Sequence, residues 1–254
     1  MQDVGGKRGR SMADFGGRVV IVTGAGSGIG RAAARLFVAA GAEVLAVGRR
    51  PEPLRELGGV EALPVDLCGP GAGELVVATA IERFGRLDVL VNNAGAFDLM
   101  PLPDVSAERI EALFAVNVTA PSLLAQAALP HLRATQGSIV NVSSTFGHRP
   151  LAGAAHYAAA KAAIEQLTRS WALELAHDQI RVNAVAPGPT ESEALTAAGL
   201  PAELVEQVKA DEAARIPLGR RGEPEEVAGW LLHLAASSWL TGQVLTVDGG
   251  LELS

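Results

Sequence analysis

Apolar and polar positions follow two spacings along this chain. Short, continuously apolar runs recur, and between them lie Ala- and Leu-rich stretches with apolar residues at helical spacing. The runs are residues 19–22, 44–47, 87–91, 138–142, 180–185 and 244–247, and the main helical stretches are 32–40, 110–132 and 158–176. Continuous runs indicate strands buried on both faces, which is typical of a parallel sheet between two helical layers. The pattern predicts an α/β fold with a doubly wound parallel sheet of about seven strands and helices on both faces.

The same pattern predicts one folded domain. The chain has 254 residues, of which 48% are hydrophobic, and no Ser-, Pro- or charge-rich linker divides it. We expect a flexible N-terminal extension over residues 1–16 and a single domain over 17–254. The segment 188–221 is rich in Pro, Ala and acidic residues and follows a predicted strand, so we expect a substrate lid there.

Net charge and cysteine content limit the binding partners and the cellular compartment that we expect for this chain. The 21 Lys and Arg against 28 Asp and Glu give a net charge of −7, which provides no general attraction to nucleic acid or to anionic membranes. The longest promising apolar stretch, 36–47, is interrupted by Gly41 and Glu43, so no membrane span is expected. Cys68 is the only cysteine, and the N-terminal segment lacks the apolar run of a secretory signal; we therefore expect a cytoplasmic protein.

A glycine-rich turn follows the first predicted strand directly. It reads Thr23-Gly-Ala-Gly-Ser-Gly-Ile-Gly30 and precedes a predicted helix that begins at Arg31. Glycine lets the backbone turn sharply and approach a pyrophosphate, while a helix N-terminus offers free N–H groups and a positive dipole end. A glycine cluster alone is more often only a turn, but the strand before it and the helix after it indicate dinucleotide binding.

Tyr157 and Lys161 stand four residues apart in a predicted helix and therefore lie on one face of it. Hydride transfer to a ketone leaves an alkoxide that needs a proton, and a nearby cation lowers the pKa of a phenol toward neutrality. By itself such a pair is more often an ordinary surface pair. Tyr157 is, however, the only tyrosine of the chain.

Several motifs together resemble one family. The spacing T-G-x3-G-x-G at residues 23–30, the element Asn92-Asn-Ala-Gly95, the Tyr157-x3-Lys161 pair and the segment Pro187-Gly-Pro-Thr-Glu-Ser192 occur in this order, each in register with a predicted strand or helix. With them the sequence resembles the short-chain dehydrogenase/reductase family, in its single-domain branch, from about Gly17 to Gly250. The resemblance implies a Rossmann-like fold and a nicotinamide dinucleotide cofactor.

The resemblance also implies a set of catalytic residues. Ser144, thirteen positions before Tyr157, matches the serine that stabilises the developing oxyanion, although Ser143 competes for this role on composition. Tyr157 matches the general acid/base and Lys161 the residue that binds the nicotinamide ribose. Asn117 matches a residue that holds a water linking Lys161 to solvent; otherwise it is an Asn that bends its helix.

The expected cofactor contacts extend along the whole site. The segment ending at Ser192 departs from the family, because threonine is usual at that position, but serine keeps the hydroxyl. Asp66 matches an adenine-contacting acid and would otherwise be a strand-end cap. The predicted cofactor-binding residues are Gly24, Ser27, Gly28, Ile29, Gly30, Arg49, Arg50, Asp66, Leu67, Asn93, Ala94, Gly95, Tyr157, Lys161, Pro187, Gly188, Thr190 and Ser192.

The sequence favours NADP(H) over NAD(H). An NAD-selective fold normally has an acid at the end of the second strand, whereas this chain reads Gly48-Arg49-Arg50 there. Arginine offers a planar fork of donors suited to a 2′-phosphate. The alternative is a solvated basic pair, and many NADP-binding relatives carry a second base where this chain has Ser27, so NAD(H) stays possible.

The predicted function is hydride transfer between NADP(H) and a ketone or secondary alcohol. The alternatives are an NAD-dependent secondary alcohol dehydrogenase, a 3-oxoacyl-thioester reductase and a nucleotide-binding sensor without activity. Arg133 is a possible contact to an acidic carrier protein, but Asp178 stands where a second cation would be expected. No motif indicates a hydrolase or a metal site.

The sequence gives less direct evidence on the substrate and on the oligomeric state. The predicted pocket is mostly apolar and suggests a small uncharged carbonyl compound; its residues are Phe146, His148, Leu151, His156 and Pro189. The helical stretches 107–132 and 154–175 carry more apolar surface than one sheet covers. We therefore expect a homotetramer, or at least a dimer.

Overall fold

The computed structural model describes residues 14–254 and contains one parallel sheet of seven strands. The strands are β1 (Val19–Thr23), β2 (Glu43–Gly48), β3 (Glu61–Pro64), β4 (Val89–Asn92), β5 (Ser138–Val142), β6 (Arg181–Pro187) and β7 (Val244–Val247). They lie in the order β3-β2-β1-β4-β5-β6-β7. The chain leaves β1 in one direction to β2 and β3 and then returns to the other side at β4. The crevice between β1 and β4 is therefore the switch point at which such sheets bind ligands.

Helices cover both faces of the sheet. The longer ones are α1 (Gly28–Ala39), α3 (Ala72–Phe84), α4 (Ala107–Phe114), α5 (Ala120–Thr135), α6 (Ala155–Glu174), α8 (Ala202–Arg215) and α9 (Pro224–Ala236), and α2 (Pro51–Arg55) and α7 (Ala194–Ala197) are single turns. A π-helical turn, Ala115–Thr119, joins α4 to α5. Helices α1 and α9 pack together on one face, and α3, α5 and α6 pack on the other.

The alternation of side chains along each strand separates two hydrophobic cores. In β1, Val20 and Val22 face α1 and α9, whereas Val19 and Ile21 face α3 and α5. All five residues of β1 are buried, as its uninterrupted apolar run predicts. The predicted doubly wound α/β fold, with one domain, is confirmed.

Two details differ from the expectation. Strand β3 is not among the apolar runs, because it is an edge strand whose residues are only partly covered. Residues 1–13 of the expected extension lie outside the described residues, but Phe15 is fully buried and packs edge-on against Phe37, with ring centroids 5.1 Å apart. Its N–H donates to Ala40 O over 2.8 Å. The packed domain thus begins before residue 17.

The continuous helical run Ala107–Thr135 is long and apolar enough, by length and composition alone, to cross a membrane. In this fold its second half packs against α3, and Leu124, Ala128 and Leu132 lie in the core between α5 and the sheet. Core packing accounts for the apolar character of these three side chains.

Candidate active site

A cavity of about 770 Å³ opens at the carboxyl ends of the central strands. It runs from the glycine turn after β1 to the lid segment after β6. Of the residues predicted for cofactor, catalysis and substrate, its wall contains Gly24, Ser27, Gly28, Ile29, Arg49, Arg50, Asp66, Leu67, Asn93, Ala94, Gly95, Asn117, Ser144, Phe146, Leu151, Tyr157, Lys161, Pro187, Gly188, Pro189, Thr190 and Ser192. Gly30, His148 and His156 are the predicted site residues outside the wall.

The glycine turn is packed too closely for side chains. Gly24 has φ +66°, and a Cβ there would lie 2.7 Å from Asn93 Nδ2. Gly30 lies in the first turn of α1, and a Cβ on it would overlap the carbonyl oxygen of Gly24. Gly30 therefore serves the turn by letting helix and strand approach, without contacting the cavity.

The N-terminus of α1 fits an anionic group. Ser27 is the N-cap residue, has extended backbone geometry and makes no side-chain capping bond to the helix. The first N–H groups of α1 therefore point toward the cavity without a side-chain acceptor. Together with the glycine cradle, this arrangement fits the pyrophosphate of a dinucleotide.

Hydrogen bonds tie the end of β4 to the glycine turn. Thr23 Oγ1 accepts from the N–H groups of Asn93 (2.9 Å) and Ala94 (3.0 Å) and donates to Val91 O (3.1 Å). Asn93 Nδ2 donates to Thr23 O over 2.8 Å. These bonds fix two cavity walls that are about 70 residues apart in sequence.

Two buried asparagine side chains link the ends of β4 and β5 to helix α6. Asn92 Nδ2 donates to Asn141 Oδ1 (3.0 Å), and Asn141 Nδ2 donates to Thr168 Oγ1 on α6 (2.8 Å). The sequence analysis did not single out Asn141, although an Asn inside an apolar strand is itself a signal of a buried polar link.

The end of β2 carries the two arginines of the predicted ribose site. Arg49 and Arg50 are exposed at the cavity wall. Arg50 Nη2 forms an ion pair with Glu193 Oε2 in the lid segment at 2.8 Å, whereas Arg49 forms no hydrogen bond or ion pair with any described residue. The side chain of Asp66 accepts from Cys68 N over 3.0 Å, so this carboxylate also caps its own turn.

Tyr157 projects from the first turn of α6 into the cavity. Its ring packs edge-on against Phe97, with centroids 5.0 Å apart. Burial raises the pKa of Tyr157 above its ordinary value, and a hydrogen bond with Ser144 acts in the opposite direction. The sequence argument expects Lys161 to lower this pKa, but in the structure burial raises it, and Ser144 rather than Lys161 is the group that opposes the rise.

Lys161 is 5% exposed, and its ammonium lies 5.8 Å from the centroid of the Tyr157 ring. Its Nζ donates to Val142 O, at the end of β5, over 3.1 Å. Burial lowers the pKa of Lys161 to about 8. The ammonium of Lys161 therefore lies close to the Tyr157 ring in a site that disfavours its charge.

The two candidate serines point to different partners. Ser144 lines the cavity and is hydrogen-bonded to Tyr157. Ser143 also lines the cavity, but its Oγ lies 3.0 Å from Glu165 Oε1 and 3.2 Å from Lys161 O, and its single proton is taken up by these acceptors. This geometry favours Ser144 over Ser143 as the hydroxyl that meets a substrate.

Asn117 occupies the π-helical turn between α4 and α5, a distortion that is frequent at functional sites. It is 2% exposed, and its Nδ2 donates to Ala96 O and Leu113 O, each over 2.9 Å. Its Oδ1 has no partner among the described residues. That oxygen lies beside Gly95, where a Cβ would be 2.7 Å from Asn117 Oδ1 and 3.3 Å from Lys161 Nζ. An unpaired buried acceptor near Lys161 is suited to a bound water.

Apolar side chains line the far end of the cavity, and Arg149, Glu212 and Arg215 also contribute to its wall. Phe146, Leu151 and Pro189 face it together with residues of the lid, namely Leu195, Leu200 and Val208. The side chain of His148 instead lies between two carboxylates, with Nδ1 2.9 Å from Glu165 Oε1 and Nε2 3.3 Å from Glu252 Oε1. His156 is half-buried, and its Nδ1 has no partner among the described residues.

A buried arginine links separate parts of the segment 188–221, in which the sequence predicts a lid. Arg221 is 7% exposed and forms ion pairs with Glu212 on α8 and with Glu191, whose Oε1 lies 3.0 Å from Arg221 Nε. Its Nη2 also donates to Thr190 O over 2.6 Å. The sequence analysis did not single out Arg221, because its partners lie in two stretches that are distant in sequence, residues 190–191 and Glu212.

Comparisons with known proteins agree with this geometry. A family model described as "Enoyl-(Acyl carrier protein) reductase" matches residues 24–252. The chain is 40% identical to the 3-oxoacyl-[acyl-carrier-protein] reductase FabG of Thermotoga maritima, with 93% of this chain and 98% of the relative covered. It is 41% identical to the cis-4-hydroxycyclohexanecarboxylate dehydrogenase of Sinomonas cyclohexanicum, with coverages of 93% and 97%.

A solved structure is similar to this chain in both fold and sequence. The short-chain dehydrogenase/reductase of Caenorhabditis elegans, determined with its cofactor, superposes with a TM-score of 0.87 at 34% identity and covers 94% of this chain and 96% of its own. The chain therefore belongs to the short-chain dehydrogenase/reductase family and is a hydride-transfer oxidoreductase that uses a nicotinamide cofactor and a small-molecule substrate.

Proposed function

We propose that this oxidoreductase interconverts ketones and secondary alcohols with NADP(H) in preference to NAD(H), and that Tyr157 exchanges the proton. The observation that carries the proposal is that Ser144, Tyr157 and Lys161 line one cavity, with the ammonium of Lys161 5.8 Å from the centroid of the Tyr157 ring. A nicotinamide bound along the cavity would supply or accept the hydride.

The protein side chains then have separate tasks. Ser144 donates to the carbonyl oxygen of the substrate and stabilises the negative charge that develops there. Tyr157 donates its proton to the same oxygen in reduction and accepts it in oxidation. The ammonium of Lys161 favours the phenolate form of Tyr157 once the proton has left. Asn117 Oδ1 is placed to hold a water that returns a proton toward Lys161.

The cofactor preference rests on Gly48, Arg49 and Arg50. Gly48 leaves no carboxylate at the end of β2 to bind a ribose 2′-hydroxyl or to repel a 2′-phosphate. Arg49 forms no hydrogen bond or ion pair with the described residues, so its guanidinium is available to phosphate oxygens. Arg50 would have to share its charge with Glu193, which makes Arg49 the principal phosphate ligand.

For the substrate, the apolar cavity end supports a small uncharged ketone. A 3-oxoacyl thioester is the second candidate, and the Thermotoga maritima relative supports it. The basic residue weighed for a carrier protein, Arg133, is paired with Asp178, whose Oδ2 lies 2.7 Å from Arg133 Nε. This ion pair weakens the electrostatic attraction of that surface for an acidic carrier.

We also propose a homotetramer in the cytoplasm. Large apolar side chains remain exposed on the helices expected to pair, with Leu123 of α5 at 53% and Leu173 of α6 at 83% exposure. The single cysteine fits a reducing compartment. Fractionation of cells that produce the native protein, with a membrane and a periplasmic or luminal marker, tests the location.

The activity is tested with purified protein and a panel of diacetyl, ethyl acetoacetate, cyclohexanone and an acetoacetyl thioester. We expect NADPH oxidation with at least one compound, and we expect Tyr157→Phe to lower kcat by about 10²–10⁴-fold while NADPH binding changes little. Near-normal turnover by Tyr157→Phe would show that another group is the acid. Turnover of the thioester alone would favour the second candidate.

A further inference from the structure

A buried carboxylate lies directly behind the predicted catalytic serine. Glu165 is on α6, one turn after Lys161, and its side chain is 4% exposed. A charge removed from water in this way requires close donors. The proposed reaction gives Glu165 no role, so its partners are informative.

Two of these partners, Ser143 and His148, lie before and after Ser144 in the sequence. Glu165 Oε1 accepts from Ser143 Oγ at 3.0 Å and lies 2.9 Å from His148 Nδ1, while Oε2 lies 3.4 Å from Arg169 Nη2. One oxygen atom thus holds the segment that contains Ser144 at two points.

The backbone between these points also touches the carboxylate. A Cβ on Gly147 would lie 2.5 Å from Glu165 Oε1 and 2.9 Å from Ser143 Oγ. Glycine at this position lets the serine loop, which we define as residues 143–149, lie flat against Glu165. Movement of Glu165 would therefore shift the whole loop.

The far end of the serine loop is attached to the C-terminal turn, Leu251–Leu253. His148 Nε2 lies 3.3 Å from Glu252 Oε1, and Arg149 donates to Leu251 O and, over 3.2 Å, to Ser254 O. Leu251 itself lines the cavity. The serine loop therefore contacts both Glu165 on α6 and the C-terminal turn.

We propose that Glu165 is a positioning residue, which acts through Ser143 and His148 to hold Ser144 at hydrogen-bonding distance from Tyr157. The proposal rests on the roles assigned above to Ser144 and Tyr157. Polar groups that orient a reacting group typically contribute about 10–100-fold to activity, because small displacements of that group are costly. Loss of the Glu165 contact should therefore reduce turnover rather than cofactor binding.

The kinetic test uses Ser143→Ala, Glu165→Met and the double variant, with diacetyl as the ketone, or the best compound of the panel above. Methionine is similar in length to glutamate but has no oxygen to accept from Ser143. Ser143→Ala removes the other end of this contact without changing any charge, so it remains informative if Glu165→Met folds poorly. Glu174→Met is the matched control, because Glu174 is exposed on the same helix. Thermal unfolding establishes that each variant is folded.

We expect kcat to fall about 10-fold in each single variant, while the KM for NADPH stays within about twofold of the wild type. The double variant should be no slower than the Glu165 variant, since the change at Glu165 already breaks the link that Ser143→Ala removes. The control should match the wild type. Single variants with unchanged kcat, or a KM for NADPH that rises as much as kcat falls, would overturn the proposal.

A second readout does not require turnover. Tyr157 is the only tyrosine, so its ionisation can be followed by absorbance near 295 nm after a rapid pH jump. The Ser144 hydrogen bond favours the phenolate, so its weakening in Ser143→Ala should raise the pKa of Tyr157 by about half a pH unit or more. An unchanged titration would contradict positioning by Ser143 and Glu165. If the wild type reduces no compound of the panel, the proposed function fails while this titration still tests the positioning role.

Discussion

Burial of Lys161 predicts that its replacement makes stability depend differently on pH. Burial lowers the pKa of Lys161 to about 8 in the folded protein, against an ordinary value of 10.5 in the unfolded chain. At about 1.4 kcal/mol per pH unit, the fold favours the neutral amine over the ammonium by about 3 kcal/mol. The ammonium is therefore buried at a cost to stability near pH 7.

The sign follows from proton binding. Between about pH 8 and 10.5 the unfolded chain retains the Lys161 proton, whereas the folded protein has lost it. Stability contributed by this group therefore rises with pH across that window. Lys161→Met has no such group, so the wild type should gain about 2 kcal/mol relative to this variant between pH 7 and pH 9.5.

The assay is thermal unfolding of both proteins without nucleotide at several pH values. For a protein of this size about 1 kcal/mol corresponds to 2–4 °C, so the variant Tm minus the wild-type Tm should fall by about 4–8 °C from pH 7 to 9.5. The lost hydrogen bond to Val142 O adds an offset that does not depend on pH in this range.

Lys209→Met is the matched control. Its hydrogen bond to Glu191 raises the pKa of Lys209, so its charge persists across the same window in both states. Its Tm difference from the wild type should therefore stay constant. A constant difference for Lys161→Met as well would refute the burial argument.

Three further outcomes are expected. The double variant Gly48→Asp/Arg49→Leu should shift the ratio of kcat/KM for NADPH and NADH toward NADH by at least about 10-fold. It introduces a carboxylate at the end of β2 and removes the proposed phosphate ligand. A wild type that prefers NADH would contradict the assignment. Arg221→Met should destabilise the fold by about 3 kcal/mol and raise the KM for the ketone, since it removes the cation that pairs with the mostly buried Glu212, while Glu191 keeps its ion pair with Lys209. Arg220→Met should have a smaller effect, because Arg220 is exposed; equal Tm losses would contradict this. Light scattering at micromolar concentration should give about four times the chain mass of 26.1 kDa, and a mass near that of one chain would exclude an oligomer.

Features encoded locally were predictable from the sequence. The glycine turn depends on a strand, three glycines and a helix within one stretch of chain, and Tyr157 and Lys161 share a helix face because of their spacing alone. The buried strands are evident from their apolar runs, while edge strand β3 lacks such a run because it is only partly covered. These features establish the fold and the type of reaction.

The tertiary structure decided how side chains distant in sequence meet. The thirteen-residue offset from Tyr157 favoured Ser144 over Ser143 in the sequence, but only the structure shows that the Ser143 hydroxyl meets Glu165, 22 residues later in the chain. Arg50 meets Glu193 across 143 residues of sequence. Burial likewise set the pKa of Tyr157 and of Lys161, since desolvation depends on everything packed around a group and not on its neighbours along the chain. Pairing and desolvation arise only when the strands and helices assemble, so no local pattern of residues could have specified them.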